Sequence, residues 1–262
     1  MSRRAAFSER YGPWALVAGA SEGLGAAFAT ELARRGCSVV LAARRPDPLA
    51  ALAATLPTQT RTVVADLATT DGLAAVSEAA ADLSVGLVVA NAAYAPIGGF
   101  LDLDAEQARR VLAVNCGAPV ELARRFLPPM LARGRGGFVI MSSLAGLQGT
   151  PPITMYAASK AFGAVLADGL WAELRGSGVD VSACVAGAVE TPSLVGSKPK
   201  RAPGTLPAAT VAAAALDGLG RGPRTIPGTV ARLSAVLMAR ILPHRSAISI
   251  VSRASSDLVP RS

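Results

Sequence analysis

Tyr156 and Lys160 are four residues apart in Tyr156-Ala157-Ala158-Ser159-Lys160. On a helix that spacing stacks a phenol and an ammonium on one face, one turn apart. A nearby cation favours the phenolate, so the pair has the means to draw a tyrosine from a pKa of about 10 toward the working range of a proton-transfer catalyst, a shift of roughly three units or about 4 kcal/mol. The lysine itself stands out, because the chain holds three lysines (Lys160, Lys198, Lys200) against twenty-three arginines. An arginine would serve poorly there, since its fixed planar fork is not a compact point charge. Taken alone the spacing equally describes a solvated helix pair, and the neighbouring segments decide between the two readings.

Those segments alternate short valine-rich runs with long alanine- and leucine-rich stretches from end to end, the rhythm of βαβ units. Strands are expected at Trp14 to Ala18, Ser38 to Ala42, Thr62 to Ala65, Leu87 to Ala90, Phe138 to Met141, Val179 to Val185 and Thr225-Ile226. Helices are expected over 24–35, 47–55, 70–82, 104–132, 154–175 and 207–219, with a kink or restart at Pro128-Pro129. Near-continuous apolar strands are those of a parallel sheet covered on both faces. The expected fold is therefore α/β: a Rossmann-like doubly wound parallel sheet of about seven strands in a single domain, residues 1–257. Ala188 to Pro207, with four prolines and no clear period, reads as a loop, and residues 188–220 are grouped as a substrate lid. Residues 229–253 form a C-terminal helical extension, and 258–262 resemble the remnant of a protease recognition sequence.

Directly after the first strand comes Gly19-Ala20-Ser21-Glu22-Gly23-Leu24-Gly25, leading into a helix. Three glycines at a strand-to-helix junction give a tight turn, close backbone approach and exposed amides at a positive helix end, which suits a pyrophosphate. With this loop the chain resembles the classical short-chain dehydrogenase/reductase family, whose glycine motif is Thr-Gly-x3-Gly-x-Gly; Ala18 stands in place of the threonine. Further motifs of that family recur in order. Asp66-Leu67 ends the third strand, Ala90-Asn91-Ala92-Ala93 resembles Asn-Asn-Ala-Gly, and Asn115 lies in Val114-Asn115-Cys116-Gly117. Ser143 lies thirteen residues before Tyr156, and Ala186-Gly187 followed by Thr191 resembles Pro-Gly-x3-Thr.

The resemblance implies a catalytic set of Asn115, Ser143, Tyr156 and Lys160. Ser143 would hold the substrate oxygen, and Tyr156 would pass the hydroxyl proton as hydride moves to or from a nicotinamide. Lys160 would lower the Tyr156 pKa and hold the nicotinamide ribose, and Asn115 would link the site to solvent through water. It also implies that Gly19, Ser21, Glu22, Gly23, Leu24, Gly25, Arg44, Asp66, Leu67, Asn91, Ala92, Gly187, Val189 and Thr191 contact the cofactor together with Tyr156 and Lys160, Asp66 at the adenine. The methyl of Ala93 would crowd the cofactor ribose. At the end of the second strand Ala43 occupies the position where NAD-preferring relatives carry an acid, and Arg44 follows, which favours a 2′-phosphate and hence NADP(H). Glu22, where some NADP enzymes place a base, pulls the other way.

The expected partner is a small carbonyl or alcohol substrate. Leu144, Leu147, Pro151, Pro152, Ile153 and Met155 flank the catalytic groups and offer an apolar lining, or equally the anchors any such loop needs. Relatives pair through long helices, so a homodimer or homotetramer is expected by analogy. A net charge of +8 permits anionic partners, but the arginines are spread along the chain and aromatic residues are 4%, which disfavours nucleic acid. The three cysteines (37, 116, 184) and lone His244 show no metal-ligand or disulfide spacing, and the cysteines read as core filler. No apolar run reaches the roughly 18 residues that span a bilayer, and no signal-like segment opens the chain, so a cytoplasmic protein is expected. Apolar residues and arginines mixed from Val230 to Arg253 leave a membrane-surface role as the lesser alternative to packing over the site or a subunit interface. A nucleotide-binding regulator that kept the fold without turnover is the second functional reading.

Overall fold

The computed structural model describes residues 3–190 and 204–255. Its strands are β1 (Trp14–Ala18), β2 (Ser38–Ala43), β3 (Thr60–Val64), β4 (Val85–Ala90), β5 (Gly136–Ser143), β6 (Val179–Ala186), β7 (Val189–Glu190), β8 (Leu206–Pro207) and β9 (Arg224–Thr225). Seven of them make one parallel sheet in the order β3-β2-β1-β4-β5-β6-β9, and β7 pairs with β8 apart from it. The winding reverses between β1 and β4. At such a switch point the loops leaving the carboxyl ends of neighbouring strands diverge and open a crevice.

Successive residues of each strand serve opposite layers. Leu16 and Ala18 join Val40, Val88 and Ile140 on one face, under Val76 of α4 (Thr70–Ala79), Phe126 of α6 (Ala118–Ala132) and Ala164 of α7 (Thr154–Glu173). Ala15 and Val17 join Leu41, Leu87 and Val139 on the other, under Phe28 of α2 (Gly23–Arg34), Leu49 of α3 (Pro46–Thr55) and Leu216 of α8 (Ala208–Gly218). The central strands β1, β2, β4 and β5 are buried on both faces and carry no polar alternation, whereas the edge strand β3 keeps Arg61 and an exposed Thr62. Cys37 and Cys184 belong to this core, and burial pushes their thiols up to about 11 and about 12.

Several boundaries depart from the sequence expectation. The segment 104–132 does not restart at its paired prolines. It divides earlier, into α5 (Ala105–Leu112), a wider turn at Ala113–Gly117 in which the Ala118 N–H reaches back to the Ala113 carbonyl, and α6. Pro119 lacks the N–H that an α-helix would give the Asn115 carbonyl, so the irregularity falls beside Asn115. Pro128 and Pro129 are exposed, as are Arg124 and Arg125, so the carbonyls those prolines leave without a donor face water. An N-terminal helix, α1 (Arg3–Tyr11), was not anticipated; Tyr11 anchors it, its ring buried and its hydroxyl donating to Asp180 at 2.6 Å.

The region 188–220 is not one lid. β7 and β8 close its base, and α8 packs Val211, Ala212, Ala215 and Leu216 into the core while Asp217 pairs with Arg35 at 2.8 Å. Only 191–203, outside the described residues, remains for such a role. The C-terminal extension comprises α9 (Thr229–Val236), a turn over Leu237–Ile241 and α10 (His244–Ser255). Leu258 to Ser262 also lies outside the described residues. Among those residues no helix is long and apolar enough to cross a membrane.

Gly25 shows how closely α2 is seated on β1. A Cβ there would overlap the Gly19 carbonyl oxygen and lie 2.8 Å from Asn91 Nδ2. Gly25→Ala should therefore lower stability by about 1–3 kcal/mol through forced backbone movement, read as a fall in the urea midpoint; an unchanged midpoint would contradict this packing.

Candidate active site

The glycine turn is held by three hydrogen bonds, from two sides. The Gly19 N–H donates to the Ala42 carbonyl at 2.7 Å, the Ala20 N–H to the same oxygen at 3.1 Å, and the Asn91 amide donates to the Gly19 carbonyl at 2.9 Å. Gly19 has φ 85°, and a Cβ on it would sit 2.7 Å from Ala92 Cα. Only glycine satisfies both demands. Ala18 has no hydroxyl to brace this turn, and Asn91, on the neighbouring strand end, supplies the brace instead.

Around the turn opens a cavity of about 540 Å³, a size typical of small-molecule sites. Gly19, Ser21, Glu22, Gly23 and Leu24 form its floor, beneath the N-terminus of α2; Arg44 closes one end; Asp66 and Leu67 form a wall; Asn91, Ala92 and Ala93 form the opposite one. Ten of the residues expected at a cofactor thus meet in one place. Gly25 lies beneath the floor as a packing residue. Gly187 and Val189 follow β6 and do not line this cavity, nor do Tyr156 and Lys160, and Thr191 lies outside the described residues.

The lining also includes residues that no sequence motif marks, among them Arg45, Tyr94 and Arg110. Arg110 pairs with Asp66 at 2.7 Å, and its guanidinium lies 5.9 Å from the Tyr94 ring centroid. Burial alone would raise the Asp66 carboxyl, but hydrogen bonds from Arg110 and the Ala68 N–H, with the charges of Arg110 and Arg44, hold it below its ordinary value. Arg45 pairs with Glu22 at 2.7 Å. No motif separates Arg110 from adjacent Arg109; only the fold turns one of them into the crevice.

The second group gathers at the carboxyl end of β5 and on α7. Asn115, 4% exposed, donates from Nδ2 to the Tyr94 carbonyl and to Ser159 Oγ, each at 2.9 Å, and accepts from the Tyr94 N–H at 2.7 Å. Ser159 in turn donates to the Tyr156 carbonyl at 2.7 Å. Ser143 caps the short helical turn Leu144–Leu147, accepting from the Ala145 N–H at 3.2 Å. Lys160 is 5% exposed; its Nζ donates to the Met141 carbonyl at 2.9 Å and lies 5.4 Å from the Tyr156 ring centroid. The Ser142 hydroxyl donates to the Lys160 carbonyl at 2.7 Å, tying β5 to α7.

The electrostatics correct one expectation. Burial holds the Tyr156 phenol above its ordinary value, opposed by the Ser143 hydroxyl within hydrogen-bonding reach. The Lys160 ammonium, engaged by the Met141 carbonyl, does not reverse that direction. Burial brings the Lys160 ammonium itself down to about 8. Cys116, taken for core filler, is only half-buried; burial raises its thiol, and the Lys160 charge opposes that rise.

A strand-glycine-helix cradle at the switch point of a doubly wound sheet defines a nucleotide-binding α/β protein. The sequence matches the short chain dehydrogenase family over residues 13–202. The chain belongs to this family of nicotinamide-dependent oxidoreductases. It is 33% identical over 197 residues to a 7beta-hydroxysteroid dehydrogenase of Clostridium sardiniense, a match covering 74% of this chain and 76% of that one. Among solved structures, one from a study of 7beta-hydroxysteroid dehydrogenase stereoselectivity superposes with a TM-score of 0.88 at 26% identity, covering 94% of this chain and 98% of that chain. A short-chain dehydrogenase from Sphingobium yanoikuyae in complex with NADPH superposes with a TM-score of 0.77 at 33% identity, covering 88% and 96% of the two chains.

The Lys160 ammonium yields a prediction of definite sign. Between about pH 8 and pH 10.5 the folded protein has released this proton and the unfolded chain still holds it, so the stability of wild type should rise with pH relative to Lys160→Met, by about 1–3 kcal/mol across the window. Urea denaturation of both proteins at pH 7 and pH 10 checks it; a constant difference would show that Lys160 is not buried as a charge.

Proposed function

We propose that the protein interconverts a carbonyl and an alcohol by hydride transfer with NADP(H), through Asn115, Ser143, Tyr156 and Lys160. The observation that carries this reading is one chain of hydrogen bonds, from the Tyr94 backbone at the nucleotide cavity through Asn115 and Ser159 to the backbone carbonyl of Tyr156, which fixes the turn of α7 that bears the phenol. The residues fit a dinucleotide: the cradle leaves no room for a Cβ at Gly19, the N-terminus of α2 faces it, and Arg44, half of the guanidinium pair at the end of β2, makes no ion pair among the described residues. When bound, the nicotinamide supplies or accepts the hydride.

The chain's own groups do the rest. Ser143 donates a hydrogen bond to the substrate oxygen and stabilises charge as it develops there. Tyr156 gives its phenolic proton to that oxygen during reduction and takes it back during oxidation. A phenol that burial holds above its ordinary value stays protonated at neutral pH, the form that donates in reduction. Lys160 holds the ribose and offsets the phenolate as it forms, and Asn115 fixes the separation between the two halves of the site. Apolar substrates are supported by the half-buried Leu144, Leu147, Ile153 and Met155 beside Ser143 and by the relative that carries hydroxysteroid in its name. A homodimer or homotetramer is supported by exposed apolar side chains on α5 and α7, Leu112, Phe162 and Val165.

NADPH consumption against a panel of apolar ketones and aldehydes tests the reading. Tyr156→Phe should lower kcat about 10²- to 10⁴-fold while NADPH still binds. Full turnover in that variant would overturn the assignment, and binding by wild type without turnover on any member would favour the regulator.

A further inference from the structure

Glu22 is the last residue before α2, yet its side chain caps none of that helix's N–H groups. Instead the carboxylate reaches across the cavity rim to Arg45, Oε2 to Nη2 at 2.7 Å. Both side chains line the cavity beside Arg44. The pair is open to solvent, with 47% of the Glu22 and 55% of the Arg45 side chain exposed. An ion pair so exposed is readily exchanged for a stronger partner. Phosphate is one: a monoester carries nearly two charges at neutral pH and grips guanidinium in a bidentate fork.

We propose that Glu22 is an internal competitor for the cofactor's 2′-phosphate, occupying Arg45 and so setting how strongly the site distinguishes phosphorylated from unphosphorylated dinucleotide. This rests on the NADP(H) reading above. Two guanidiniums, Arg44 and Arg45, stand at the end of β2, but one is matched in advance by a carboxylate from the glycine loop. A 2′-phosphate must part that pair before using both arginines. A ligand with a free 2′-hydroxyl has no such exchange to make. Glu22 therefore weakens the phosphorylated ligand selectively, which leaves the site more tolerant of both cofactors than two adjacent arginines imply.

Isothermal titration with 2′,5′-ADP and 5′-AMP, on wild type, Glu22→Gln, Arg45→Gln and the double variant, tests this directly. Glu22→Gln should tighten 2′,5′-ADP about 3- to 30-fold, the effect of one solvent-screened charge contact, and move 5′-AMP by less than about threefold. In the Arg45→Gln background the same substitution should lose most of that gain. Equal urea midpoints among the variants exclude a folding artefact. A wild-type preference for 2′,5′-ADP that Glu22→Gln leaves unchanged or reduces would overturn the proposal alone, as would a gain that persists undiminished without Arg45. Wild type that binds 5′-AMP as tightly as 2′,5′-ADP would overturn the NADP(H) reading, and this proposal with it.

Discussion

The Asn115 carboxamide joins the two halves of the site. Its oxygen takes the Tyr94 N–H and its nitrogen reaches both the Tyr94 carbonyl and Ser159, so one buried side chain pins the loop after β4 to α7. On one side of that knot is the nucleotide cavity, with Tyr94 in its wall; on the other are Tyr156 and Lys160. A buried amide with all these bonds made is rigid, and breaking any one strands a polar group away from water at about 1–3 kcal/mol. The wider helical turn at Ala113–Gly117 is where the long helix accommodates it.

Charge is handled differently in the two halves. Around the cavity, acids and arginines are matched at the rim: Asp66 with Arg110 and Glu22 with Arg45. Beside Tyr156 a single cation, Lys160, is enclosed and answered by a backbone carbonyl rather than by an acid. Burial lowers its pKa, since enclosure disfavours the charged form.

Much of this was legible in the sequence because it depends on local pattern. The strand-glycine-helix junction, the valine runs and the spacing from Ser143 to Tyr156 to Lys160 are properties of short stretches, and ten of the expected cofactor residues do converge on one cavity. What escaped depends on approach in three dimensions. Arg110 is distinguished from Arg109 only by which way α5 faces the crevice. Pro128-Pro129 marks a break in the sequence but none in the helix, because on a solvent-facing turn the carbonyls it leaves unpaired are satisfied by water; the irregularity falls beside Asn115 instead. The direction of the Tyr156 shift was misjudged for a related reason, since spacing shows that a cation is near but not that its ammonium points at another acceptor or that the phenol is enclosed.

In the proposed reaction hydride passes from the nicotinamide C4 to the substrate's carbonyl carbon. Reduction of a bulky apolar ketone with NADPH fully deuterated at the nicotinamide C4, followed by mass spectrometry of the alcohol, tests it most directly. One deuterium on the former carbonyl carbon is the expected result. A carbinol hydrogen drawn from solvent, or label retained entirely on the nucleotide, would contradict it.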